Sequence, residues 1–346
     1  MVTTTQSAAS NTTRILGSRA LLLQGLLLCS GLLLLCLMWS ITLGAADISP
    51  DTVFAALFHP DGSFNHLLIQ TSRLPRVLAG ALVGAGLAVA GAVMQGLTRN
   101  PLADSGILGI NAGAAFAVVM AVFLIGDPPL SVYALFGFIG AGTAAAIVYT
   151  LGSLGRGGAT PLRLTLAGVI LTSFVTSFTT AILITDQETL DKIRFWTAGS
   201  LAGRDMSLLS QTAPYIVIGI AGAVLISRQI TTLSLGDDVA IGLGQNTFRV
   251  KATAAVIVVL LAGGSVALAG PIGFVGLVVP HIVRFIVGVD YRWVIPYSAL
   301  TGGILVTIAD VAARIVIRPQ ELPVGVMMAI FGAPFFIVLA RWKLKR

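Results

Sequence analysis

The sequence predicts an all-α integral membrane protein, a bundle of ten membrane-spanning helices. Three observations predict it. Apolar residues make up 56% of the 346 and charged residues only 10%, with a mean hydropathy of +0.96; a soluble chain of this length would carry more charge. The apolar residues gather into ten runs. The charges lie almost entirely between the runs.

In chain order, the polar stretch 1–19 is rich in Thr and Ser and reads as a disordered tail. Residues 20–346 read as one transmembrane domain. The run 20–43 begins like a signal peptide but is too long for one, so it reads as a retained helix. Further runs cover 77–97, 106–125, 130–151, 164–184, 214–226, 252–269, 272–288, 293–309 and 324–340. The run at 214–226 is short and is extended back to Leu208. Pro271 breaks a nearly continuous stretch into two spans.

Basic residues test this topology. With both termini inside, the inner segments hold 14 of the 21 Lys and Arg but only 4 of the 14 Asp and Glu. An even number of spans that starts inside therefore fits, and it makes the stretch 233–251 cytoplasmic. The chain has 39 glycines, many of them inside spans, as at Gly80, Gly84, Gly86, Gly91, Gly137, Gly140 and Gly142. Small residues of this kind let membrane helices approach closely.

The stretch 233–251 is amphipathic and charged, between two long apolar runs. Ser234 followed by Asp237 resembles a capping box. Asp237 and Asp238 suit the positive end of a helix, and Gly244 suits a helix stop. These residues predict a short helix over 237–243 on the membrane surface, a handle for a soluble partner.

Several classes of chemistry are missing. No Gly-x-x-x-x-Gly-Lys-Ser/Thr occurs, and none of the four lysines follows a glycine, so the chain has no phosphate-binding loop for ATP. No acid lies in mid-span, which weakens the reading of an ion-coupled secondary transporter, the rival class. No nucleophile set converges. No basic stripe with interleaved aromatics points to nucleic acid. Cys29 and Cys36 share the first run and have neither disulfide nor zinc spacing. His59 and His66 flank Asp61 in one outer loop and read as solvated residues rather than metal ligands. His281 and Arg284 read as a polar pair at a helix end. A bundle with a handle and no engine fits a permease driven by a separate ATP-hydrolysing subunit.

Arg73-Leu-Pro-Arg76 opens the second span on the outer side, and Arg314 and Arg318 close the ninth beside Asp310 and Glu321. Basic residues are disfavoured there. Two readings stand: interfacial anchoring by long stems, or an exposed basic rim that pairs with the acids of a soluble partner.

Seven motifs then recur in one order: Arg73-Leu-Pro-Arg76; the stretch from Gln95 to Gly109 containing Arg99-Asn-Pro-Leu-Ala-Asp104; Trp196-Thr-Ala-Gly-Ser-Leu201; Leu233-Ser-Leu-Gly-Asp-Asp-Val-Ala240; Gly273 to Arg284 containing Val279-Pro-His281; Asp310-Val-Ala-Ala-Arg314; and Glu321-Leu-Pro-Val-Gly325. Together they closely resemble the iron-siderophore and vitamin B12 permease family of ABC importers, from about residue 20 to the C-terminus.

The resemblance implies the type II importer architecture, with ten spans per subunit and a short cytoplasmic coupling helix. It implies a second permease subunit, identical or related, with the path at the shared axis. Two ATPase subunits would lie below, using ATP and Mg, and a periplasmic or lipid-anchored substrate-binding protein above. It implies a multi-pass protein of the cytoplasmic (inner) membrane with no catalytic residue and no bound metal or cofactor. The cargo would be a ferric siderophore, with cobalamin or haem as alternatives. By position, Arg73, Arg76 and Arg314 would dock the binding protein. Leu235, Gly236, Asp237, Asp238, Ala240, Leu243 and Gly244 would couple to the ATPase. Trp196, Gly199 and Ser200, in the segment 191–201, would belong to the outer gate.

Overall fold

The structure is a computed structural model that describes residues 16, 18–44, 47–154 and 160–344. Most of the tail 1–19, and Arg156, Lys345 and Arg346 of the charge pattern, lie outside the described residues.

Among the described residues, ten apolar helices follow in the order of the ten runs. They are α1 (Arg19–Thr42), α3 (Phe64–Thr98), α4 (Ile110–Ile125), α5 (Leu130–Ser153), α6 (Pro161–Thr185), α8 (Met206–Leu225), α11 (Thr247–Ala269), α12 (Val275–Val287), α13 (Tyr291–Ile315) and α14 (Val324–Leu344). Four short helices fill the connections: α2 (Pro50–Phe58), α7 (Gln187–Thr197), α9 (Ser227–Ser234) and α10 (Asp237–Gly242). Polar caps set many of the starts. Ser18, Thr160, Asp186, Asp205 and Asn246 each accept a bond from a backbone N–H three residues on.

Helix α3 is the axis. It is the most buried of the long apolar helices, and α13, α12, α11 and α8 pack around it. It begins earlier than its apolar run, at Phe64, because a wide turn at Ile69–Arg73 joins two helical pieces. Pro75 explains the turn. Its ring crowds the carbonyl four residues back and it has no N–H to give. A local i→i−5 turn, with the Leu74 N–H reaching the Ile69 carbonyl, relaxes the ladder there.

Glycine pairs make the closest crossings. A Cβ on Gly84 would overlap the Gly302 backbone of α13, and one on Gly91 would overlap Gly276 of α12. Gly113 of α4 and Gly140 of α5 meet in the same way. Gly142 makes no such crossing. Because backbone faces backbone, neither side can yield. Gly84→Ala is therefore expected to lower stability by about 1–3 kcal/mol. Gly31→Ala, on an open face of α1 with nothing near it, serves as control; thermal unfolding in detergent would separate the two.

One predicted span is shorter than its run. The run 272–288 becomes a helix only at Val275, where Phe274 takes a left-handed conformation with φ 68°. The thirteen residues of α12 rise about 20 Å, less than the roughly 30 Å hydrocarbon thickness. Helix α12 starts beside Gly91, and Gln95 Nε2 donates to the Gly276 carbonyl at 3.1 Å. Residues 270–274 supply the rest of the crossing as non-helical backbone.

The two ends of the bundle are distinct. Arg73 and Arg76 lie at one end of α3. At the other, Arg99 lies beside Gly236, which precedes α10. The Leu16 N–H donates to the Ile286 carbonyl at 3.1 Å, and the Tyr291 N–H donates to Thr231 Oγ1 of α9 at 3.0 Å. The start of α1 therefore lies at the α10 end, and by parity so does the end of α14.

Candidate functional site

At the arginine end, the last carbonyls of α1 have no partner within their own helix. Two arginines supply one. Arg73 Nη1 donates to the carbonyls of Ile41 at 2.7 Å and Thr42 at 3.0 Å. Arg314 Nη1 donates to those of Leu43 at 2.6 Å and Ser40 at 3.0 Å, and its Nη2 donates to Ser40 Oγ at 2.6 Å. Cations at a helix C-terminus also suit its dipole.

Arg76 reaches the other way. Its Nε donates to both oxygens of Asp310 at 3.1 Å, and its Nη1 donates to Glu321 Oε2 at 2.6 Å. Asp310 also meets Arg314 Nε at 3.2 Å. The exposed basic rim read from the sequence therefore takes a different form. Arg73 is 7% exposed and Arg314 3%; both face inward because uncapped carbonyls of α1 draw them in. Of these groups, Glu321 is the one that reaches solvent most, at a third of its side chain. Arg318 pairs with Asp47 at 3.1 Å on the surface.

Beside this cluster the chain dips into the bundle. Asp186 caps α7, and the ring of Trp196 stands edge-on to Tyr133 with centroids 6.3 Å apart. Gly199 takes φ 74°, and a Cβ there would overlap the Pro271 carbonyl, so only glycine fits. The Ser200 N–H donates to the Ala269 carbonyl at 2.8 Å, and the Gly325 N–H donates to the Gly199 carbonyl at 3.0 Å. Leu201 is buried against Gly80 of α3. The structure thus brings Trp196, Gly199 and Ser200 together with the non-helical 270–274 and the start of α14.

A cavity of about 410 Å³ opens above this segment. Tyr133, Lys192, Trp196, Ser200, Arg204 and Glu321 are among its lining residues. Arg204 and Lys192 are missing from the sequence reading: each looks like an ordinary loop or cap-flanking charge, and no local signal gives the fold that buries Arg204.

At the other end, α10 runs Asp237–Gly242. Ser234 does not cap it. The preceding helix α9 runs through Ser234, whose Oγ donates to the Thr231 carbonyl at 2.6 Å. The turn belongs instead to Gly236, at φ 129°. Asp237 pairs with Lys251 at 2.8 Å. Gly244, at φ 79°, closes α10 with its N–H on the Ile241 carbonyl and that of Gln245 on Ala240, a double bond pattern that satisfies two terminal carbonyls. Ala240 is fully buried, whereas Leu235, Val239, Ile241 and Leu243 stand exposed, Leu243 at 69%. Asp238 is exposed beside them. An apolar face with a charged edge, unsupported by its own chain, is the mark of an interaction surface.

His59 is exposed, as the sequence reading has it, whereas His66 and His281 differ from it. His66 is buried, and its Nδ1 accepts from the Asp61 N–H at 3.1 Å, closing a turn. His281 stands edge-on to Phe285 at 5.0 Å between centroids and is buried, while Arg284 donates to Gln95 Oε1. Among the described residues no group of three or more metal-ligating side chains converges.

Among the described residues, ten apolar helices around a glycine-lined axis, with non-helical backbone at one end and an apolar knob at the other, have the build of a multi-pass membrane protein. Residues 32–342 match the FecCD transport family, and the chain belongs to it. The family membership displaces the ion-coupled carrier reading.

Among its relatives, the iron(3+)-hydroxamate import permease FhuB of Bacillus subtilis is 48% identical over 332 residues, covering 95% of this chain and 85% of that one. The ferric enterobactin permease FepD of Escherichia coli is 40% identical, covering 94% and 96%. The hemin permease HmuU of Yersinia pestis is 36% identical, covering 89% and 92%. A solved inward-facing structure of a metal-chelate type ABC transporter superposes with a TM-score of 0.81 at 28% identity, covering 92% of this chain and 99% of that one.

Proposed function

We propose that this chain is the permease subunit of an ATP-driven importer that carries a ferric siderophore across the cytoplasmic membrane. The observation that carries the reading is the conjunction of family and surface: a FecCD chain, with siderophore permeases among its relatives, that presents an exposed apolar helix at the end where α1 starts. The Lys and Arg balance supports the reading that this end faces the cytoplasm.

In this reading α10 and its flanks, Leu235 to Gly244, seat in a separate ATPase that uses ATP and Mg. Two ATPases and a second permease, identical or related, complete the core, with the cargo path at their shared axis. A periplasmic or lipid-anchored binding protein docks on the arginine end. Arg76 takes part through Glu321, the member of its cluster open to a competing carboxylate, and Arg73 and Arg314 act from behind by holding the end of α1. Closing of the ATPases moves α10, the bundle tilts as rigid bodies, and the segment around Trp196, Gly199 and Ser200 opens or shuts the outer side.

Reconstitution with the partner ATPase and the binding protein in proteoliposomes tests the reading. Uptake of a ferric siderophore should require ATP and the binding protein and persist without a membrane potential. Uptake that ignores ATP and collapses with the potential would sink it. Uptake of haem or cobalamin alone would move the cargo to that class.

A further inference from the structure

We propose that the cavity above the 196–201 segment is a receiving subsite for one anionic, oxygen-rich lobe of the iron chelate, gripped by Arg204 with help from Lys192. The inference rests on the importer reading and names the part of the cargo that this chain would hold first.

Arg204 carries the argument. It is 5% exposed, yet it lines the cavity. Its Nη2 donates to the Ser200 carbonyl at 3.1 Å, while Nε, buried as well, has no hydrogen-bond partner among the described residues. A buried guanidinium with an idle donor is costly unless something accepts from it. The adjacent acid does not take that bond: Asp205 Oδ1 accepts from the Leu208 N–H at 2.8 Å as the cap of α8, and its charge acts on Arg204 only through space. Burial lowers the Arg204 pKa to about 10, so the group still carries its charge at neutral pH.

The other charges at the cavity are matched. Glu321 is held by Arg76, and half-buried Lys192 pairs with exposed Glu188 at 2.5 Å and donates to the Gly126 carbonyl at 3.2 Å. A pair with so exposed an acid is weak enough to exchange, which leaves Lys192 able to turn to a bound anion. The buried donor in want of an acceptor is thus Arg204 Nε.

Size and wall define the rest of the ligand. A space of about 150 Å³ accommodates a benzene ring, so about 410 Å³ admits one or two ring-sized arms and not a whole tris-chelate. Tyr133, Phe195 and Trp196 line it and offer faces for a planar arm. The planar fork of arginine suits paired oxygens. The cavity also lies directly on the backbone that closes the bundle, next to Ser200, so an arm bound there touches the segment that must move.

The complete importer in nanodiscs of phosphatidylcholine tests this with two probes, an anionic ferric tricatecholate and a neutral ferric trihydroxamate. The tricatecholate should bind more weakly as salt rises. Arg204→Gln should lower its affinity by about tenfold or more, Arg204→Lys by less, and Lys192→Gln severalfold. Trihydroxamate binding, binding-protein docking and thermal stability should stay unchanged. Tricatecholate affinity unaltered in both Arg204→Gln and Lys192→Gln overturns the subsite. So does an equal loss for both probes with a lowered melting temperature. Nanodiscs containing phosphatidylglycerol provide the last arm: undiminished tricatecholate affinity supports the chelate as occupant, and competition by the lipid identifies a headgroup phosphate instead and overturns it. A wild-type importer that moves neither chelate with ATP defeats the importer reading itself. Import that proceeds while the Arg204 variant binds normally defeats only the subsite.

Discussion

With Ile241 and Leu243 both changed to aspartate, ATP-driven chelate uptake is expected to stop and the partner ATPase to stop co-purifying, while the permease keeps its melting temperature. The two side chains are exposed and add nothing to their own fold. The buried member of α10 is Ala240, and the Asp237–Lys251 pair and the closing bonds of Gly244 and Gln245 do not involve either side chain. An apolar anchor at the centre of an interface is worth about 2 kcal/mol or more when truncated. Two of them, replaced by charges that must be desolvated on docking, remove affinity by several orders of magnitude. Pull-down of the ATPase with the tagged permease checks the claim, with thermal unfolding alongside. ATPase recovered at the wild-type level, with normal uptake, would refute the role given to α10.

The second large effect is on stability. Asp310→Ala is expected to destabilise the bundle by about 3–5 kcal/mol. Asp310 is 3% exposed and meets Arg76 through both oxygens and Arg314 through one. Its removal leaves two buried guanidinium groups short of their anion, and Glu321, already spent on Arg76 Nη1, cannot serve both. Removing Arg76 as well should recover part of the loss, because the cost lies in the unpaired charge rather than in the missing contact. Denaturation of the single and double variants in one detergent measures both numbers. A single-variant loss below about 1 kcal/mol, the size of a surface pair, would show that water reaches the cluster freely.

Much of this architecture is legible in the residues. The order of the ten apolar helices follows from hydropathy, because a span must be long and apolar whatever its neighbours. The stop at Gly244 and the break near Pro271 follow from local backbone rules. What escapes is non-local. Arg76 finds Asp310 and Glu321 across 234 and 245 residues, so the sequence shows three outward arginines where the structure shows two caps on α1 and a lock between α3 and α13. Ser234 looks like a cap because its spacing to Asp237 is right, yet α9 claims it once Gly236 makes the turn. Arg204 looks like a loop charge beside a cap because its burial depends on α7 and the segment after it folding over the bundle. The glycines at 84 and 91 are visible as small residues, whereas their partners at 302 and 276 emerge only when the helices cross.

The short α12 has a consequence for the cell's energy supply. In that column the membrane's insulation is not a full stack of helical turns but a thin lid of non-helical chain, pinned by the Ser200-to-Ala269 and Gly325-to-Gly199 bonds. Hydrated protons and sodium press on such a thin place with the whole voltage across it, about 2.3 kcal/mol per charge per 100 mV. Growth that depends on that voltage is therefore expected to suffer from variants that loosen the lid, such as Gly199→Val, even in cells with no need to take up iron.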